Sequence, residues 1–143
     1  MMMKRVKQLF MTYRNGIIAD SLRKAGMPYK VIFGLQLPQL KGIASELKES
    51  LNVEELVGLG EQLHADKDVR ESRLLAMAIY PPDRLSIDKA REWIADLQTR
   101  EEADLLPFLL LRRTPFIPAL IEDSGHPDDN LGCYAREALE RFK

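Results

Sequence analysis

R-E-S-R-L-L-A-M-A-I-Y (residues 70–80), S-I-D-K-A-R-E-W-I-A-D-L (86–97) and T-R-E-E-A-D-L-L (99–106) decide how this chain folds. Each segment is about the length of a short helix, and each ends at a turn signal. The first is apolar almost all round after Arg73, which predicts a central helix. The second places Ala90, Trp93, Ile94 and Leu97 at i, i+3, i+4 and i+7, so Trp93 is expected in a core. The third carries Asp104 among apolar neighbours. A carboxylate in an apolar setting is costly unless it is paired or used, so Asp104 is a candidate functional group.

Working outward, turn and cap signals bound further short helices. Pro38 suits the first position of a helix over Q-L-K-G-I-A-S-E-L. Asn52 with Glu55, and Thr99 with Glu102, have the spacing of a capping box. Thr114-Pro115 and His126-Pro127 each read as an N-cap followed by proline, with Asp128 and Asp129 suited to a helix start. The Pro81-Pro82 pair closes the helix that ends at Tyr80. No stretch alternates with period two for long enough to build a sheet. Eight or nine helices and no strand predict an all-α fold. Paired helices recurring at about 35 to 45 residues point to a HEAT or armadillo-like α-solenoid of about four helix pairs, with a compact irregular bundle as the competing arrangement.

The chain has 143 residues, with 45% hydrophobic and 30% charged. That length and balance fit one soluble domain spanning 1–143 with a substantial core. No apolar run reaches a membrane span, and the Met-Met-Met-Lys-Arg start lacks a signal-peptide core, which makes the cytoplasm the expected location. One cysteine, Cys133, excludes an internal disulfide and a cysteine-rich zinc site; it is expected between helices. His64 and His126 lack metal-ligand spacing, and Gly-rich phosphate loops and G-x-S-x-G elbows are absent. No cofactor is implied. The net charge of -1 conceals a basic start: residues 1–30 hold seven Lys or Arg against one acid, Asp20. Residues 49–72 hold seven acids against two bases. The basic segment is either a solvated face or a patch for phosphate.

V-I-F-G-L-Q-L-P-Q-L-K-G-I-A-S-E-L (31–47) resembles the early segment of the AlkD-like DNA alkylation repair glycosylases. The likeness runs on through L-H-A-D-K-D-V-R-E-S-R-L-L-A-M-A-I-Y and E-E-A-D-L-L, and more loosely through I-P-A-L-I-E-D-S-G-H-P-D-D-N-L-G-C-Y-A-R-E-A-L. It implies a HEAT-like array with duplex DNA as partner, and release of N3- or N7-alkylated purines. Asp104 would correspond to the family's carboxylate, stabilising the cationic sugar or placing the attacking water. Arg136 would correspond to a phosphate-contacting arginine, a task suited to a planar guanidinium. Arg112, Arg113, Arg100 and Lys30 are the further candidate DNA contacts. The family's tryptophan just before the carboxylate is replaced here by Arg100, and its last repeats would fall beyond Lys143. These departures predict weakened or lost glycosylase activity. The alternative is a non-catalytic helical-repeat interaction module with a protein partner, or one that self-associates through an uncapped end repeat.

Overall fold

The computed structural model describes residues 2–123 and 130–143, and among them every regular element is helical. The chain divides into two compact units, residues 1–80 and 81–143.

The first unit contains α1 (Met2–Tyr13), α2 (Gly16–Lys24), α3 (Leu37–Ser50), α4 (Val53–Ala65) and α5 (Arg70–Ile79). The expected central helix is α5: all ten of its residues are buried, and it packs against α3 and α4. Leu40, Ile43, Ala44 and Leu47 of α3 and Leu56, Leu59 and Leu63 of α4 supply the facing stripes, each at helical spacing. Burying each such leucine contributes about 1.5–3 kcal/mol. Gly60 lets Tyr80 lie close, since a β-carbon there would stand 2.8 Å from the Tyr80 ring. α1 joins through Val6 and Phe10, the latter stacked at 5.5 Å on Phe33. Ala19, Tyr29 and Ile32 form a small satellite core beneath α2.

Local chemistry sets the helix ends. Asn15 caps α2 by accepting from the N–H groups of Ile17 and Ile18, both at 3.1 Å. α2 stops in a Schellman arrangement: Gly26, at φ 93°, donates to the Arg23 carbonyl and Met27 to that of Leu22. The Asn52–Glu55 capping box is present in both directions. α3 starts one residue earlier than Pro38 suggests. Gln36 is its cap, reciprocally bonded with Gln39, and Pro38 is the second helical residue.

The second unit contains α6 (Ile87–Ala95), α7 (Arg100–Leu109), α8 (Ile117–Asp123) and α9 (Asn130–Glu140). α7 and α8 pack on α9, and α6 meets both α8 and α9. Trp93 is buried, as its spacing predicts, with Ala90 and Ile94. Thr114 does both jobs at this corner: its hydroxyl donates to the Leu111 carbonyl at 2.7 Å, closing the turn Leu111–Arg113, and accepts from the Phe116 N–H at 3.4 Å just ahead of α8. α8 begins two residues after Pro115, at Ile117. His126-Pro127, Asp128 and Asp129 lie outside the described residues. Cys133 is half-buried on α9.

Candidate functional site

The first turn of α7 is tightly specified. Thr99, in an extended conformation, accepts from the Glu102 N–H at 3.1 Å. Glu102 is buried, and its carboxylate reaches back to the Gln98 N–H, one residue before the position a simple capping box would use. Ala103, Leu106 and Pro107 face inward beside it. Pro107 has no N–H for the Ala103 carbonyl, and α7 ends two residues later.

That phase places Asp104 on the outward side, exposed to solvent. The expectation of a carboxylate in an apolar environment is therefore corrected. The neighbours of Asp104 are apolar along the chain but rotate away at 100° per residue, so the buried acid of this segment is Glu102.

Arg100 opens α7, and a cation there opposes the helix dipole. It is held by stacking: its guanidinium lies 4.2 Å over the Tyr134 ring of α9. Arg112 is held the same way, 4.7 Å over Phe108 and 5.7 Å over Phe142. Arg113 is exposed beside it. Arg136 pairs with Glu140 at 3.7 Å across one turn of α9, both side chains about half exposed. Such a pair is worth roughly 0–1 kcal/mol and exchanges readily for another anion. Among the described residues, no carboxylate lies within ion-pairing distance of Arg100, Arg112 or Arg113. The α7–α9 packing thus gathers Arg100 and Asp104 of one helix beside the helix carrying Arg136. Lys30 belongs to the first unit, where its ammonium sits 3.7 Å from Asp68.

The charge divides with the units. Residues 1–80 hold twelve Lys and Arg against nine Asp and Glu; residues 81–143 hold nine against thirteen. The stacked arginines therefore stand on a unit with an acidic excess.

No known family, characterised protein or solved structure matches the chain. Function has to be argued from the site. Among the described residues no helix is long and apolar enough to cross a membrane.

Two features escaped the sequence reading. Tyr134 and Phe142 act as platforms for Arg100 and Arg112, contacts 34 and 30 positions apart with no local signature, while Phe108 lies four residues before Arg112. The second is a buried ionic cluster at the start of α5. Glu71 is 0% exposed and accepts from the N–H groups of Phe33 at 2.9 Å and Gly34 at 3.1 Å. Arg70 donates to Glu71 at 2.6 Å and to the Leu35 carbonyl at 2.9 Å. Arg73 donates to the His64 carbonyl at 2.6 Å. The polar run Arg70-Glu71-Ser72-Arg73, opening α5 ahead of its apolar stretch Leu74–Ile79, was the available signal. With its carboxylate enclosed and bonded on both oxygens, Glu71 holds the fold together rather than meeting substrate. A shallow pocket of about 230 Å³ also opens in the first unit, lined by Tyr13, Gln39, Gly42, Ile43 and Glu46.

Proposed function

We propose that this protein is a HEAT-like helical-repeat module that binds duplex DNA, with base release from N3- or N7-alkylated purines as a weak or vestigial activity. The observation that carries the reading is the set of exposed arginines on α7, α9 and the turn between α7 and α8. Arg100 and Arg112 are pre-positioned by aromatic rings, and their guanidinium edges stay open to phosphate oxygens. A stacked arginine loses less freedom on binding than a solvated one. The basic first thirty residues offer further phosphate contacts in the other unit.

Asp104 is the one candidate for chemistry. In base release, water adds to the sugar C1′ as the bond to the purine breaks. The bonding pair passes to the purine and cancels its positive charge, and a proton goes to solvent. A carboxylate near C1′ would stabilise the cationic sugar. An exposed carboxylate does this poorly in water, so Asp104 gains catalytic leverage only when bound DNA covers it. The acidic excess of residues 81–143 favours the second reading, a non-catalytic protein-interaction module.

Two measurements separate these. Duplex affinity should fall steeply between low and moderate salt; affinity indifferent to salt, or none, removes DNA binding. Free base release from duplex containing N7-methylguanine should be slow and lost in Asp104→Asn. Equal release by both proteins would take Asp104 out of the mechanism.

A further inference from the structure

The elbow between α1 and α2 carries the most exposed large apolar side chain among the described residues: Ile17 is 85% exposed, at the second position of α2. Isolated exposed apolar residues are common. This one differs in its mounting and in the charge of its segment.

The mounting is rigid. Asn15 caps the two N–H groups at Ile17 and Ile18, and its carbonyl accepts from Ala19 at 2.9 Å. Its own N–H donates to the Phe33 carbonyl at 2.8 Å. The chain at 33–34 presses on Asn15 so closely that a β-carbon on Gly34 would lie 2.2 Å from the Asn15 oxygen. Glu71, from the buried helix α5, grips the N–H groups of both Phe33 and Gly34. Ile17 thus stands on a stalk bonded through to the core of its unit.

The segment that carries it is cationic: Arg14 precedes α2, and Arg23 and Lys24 occupy its last turn. Arg14, Arg23 and Lys24 are exposed, and among the described residues none of them lies within ion-pairing distance of a carboxylate. Arg14 and Arg23 spend a donor only on the backbone carbonyls of Met11 and Lys30. Asp20, one turn on from Ile17, is the only acid of the segment.

We infer that Ile17 is a wedge for the minor groove of duplex DNA, entering between base pairs while Arg14, Arg23 and Lys24 hold the flanking phosphates. The inference rests on the DNA-binding reading above and adds to it a deformation of the duplex. A fixed apolar side chain on a basic segment suits unstacking a base step, and the kink such wedges produce is typically 20–90°. Pre-organisation matters because a mobile side chain would lose its freedom on insertion. A partner helix would need an apolar groove, whereas this is a protrusion. An anionic membrane is a weaker match: even a single fatty acyl chain anchors only marginally, and Ile17 offers fewer carbons.

The experiment uses the full chain and a duplex of about 30 bp labelled with a donor and an acceptor at its ends. Binding should shorten the end-to-end distance. Ile17→Ala should abolish the shortening in the duplex it still binds, with an unchanged circular dichroism spectrum expected for so exposed a residue. Asp20→Asn should tighten binding and keep the bend. Salt-sensitive binding without bending, or equal bending by Ile17→Ala, overturns the wedge and leaves the DNA-binding reading standing. No duplex binding overturns both. Phosphatidylserine vesicles that bind the protein but lose it on Ile17→Ala, with DNA unbent, would assign the elbow to membranes instead.

Discussion

Glu71 and Gly34 meet across 37 residues of chain: the Glu71 carboxylate accepts the Gly34 backbone N–H at 3.1 Å, wholly inside the first unit. The same carboxylate holds the Phe33 N–H and the Arg70 guanidinium. It therefore accepts from three donors, two of them backbone N–H groups. Glu71→Ala should destabilise the protein by about 3–5 kcal/mol, because it takes the carboxylate from a buried arginine and the acceptor from two N–H groups. Glu71→Gln, which keeps one acceptor oxygen but no charge, should cost less. Urea unfolding measures both, and a loss under about 1 kcal/mol for the alanine variant would contradict this role.

Gly34 itself supplies a sharper test. Its φ of 86° disfavours any side chain, and an added β-carbon would overlap backbone atoms of Asn15 and Ala19 at 2.2 and 2.9 Å. Gly34→Ala should lose about 1–2 kcal/mol from the backbone conformation and about 1–3 kcal/mol more from the overlap. Gly26→Ala is the control: φ is 93°, but nothing lies within 4 Å of the new atom. Its midpoint should fall by the backbone share alone. Equal losses at the two sites would mean that the crowding at Asn15 relaxes freely.

The contrast between α5 and Asp104 shows what could be read in advance. An apolar run such as Leu74–Tyr80 needs burial on every side, so its central position follows from composition without any three-dimensional information. The caps at Asn52 and Thr99 were equally legible, since their partners lie three residues away. The environment of Asp104 was not. Whether a polar residue in a mixed segment faces in or out depends on helical phase, and Glu102 occupies the inward position two residues earlier. The partners of Glu71 were hidden for another reason: they are backbone N–H groups, which carry no residue identity. The Arg100–Tyr134 stack depends on how α7 and α9 pack, which spacing along the chain does not encode.

Arg136 and Glu140 predict opposite responses in DNA binding. On the proposed reading Arg136→Ala removes a phosphate contact, so duplex affinity should drop and the salt slope should shrink by about one. Glu140→Gln removes the competing anion 3.7 Å away, and affinity should rise. Stability should change by no more than roughly 1 kcal/mol in either variant, because the pair is exposed. Titrations at two salt concentrations test this. Weaker binding by Glu140→Gln would show that the ion pair orients Arg136 rather than occupying it.

Arg100 tests the resemblance at the residue where the chain departs from the family. Its stack on Tyr134 is worth about 0.5–1 kcal/mol at an exposed site. Arg100→Ala should therefore cost little stability and weaken duplex binding. Arg100→Trp restores the aromatic ring that the resemblance places one turn before the carboxylate, while giving up a cation. If Asp104 is a base-release carboxylate short of its neighbour, Arg100→Trp should bind duplex less tightly yet release N7-methylguanine faster. The gain should vanish in the double variant with Asp104→Asn. Single-turnover release with saturating protein separates the two effects, because affinity then drops out of the rate. A release rate no higher than that of the unmodified chain, with Tyr134 and Asp104 intact, would mean that Arg100 is not what limits chemistry here and would leave phosphate binding as its role.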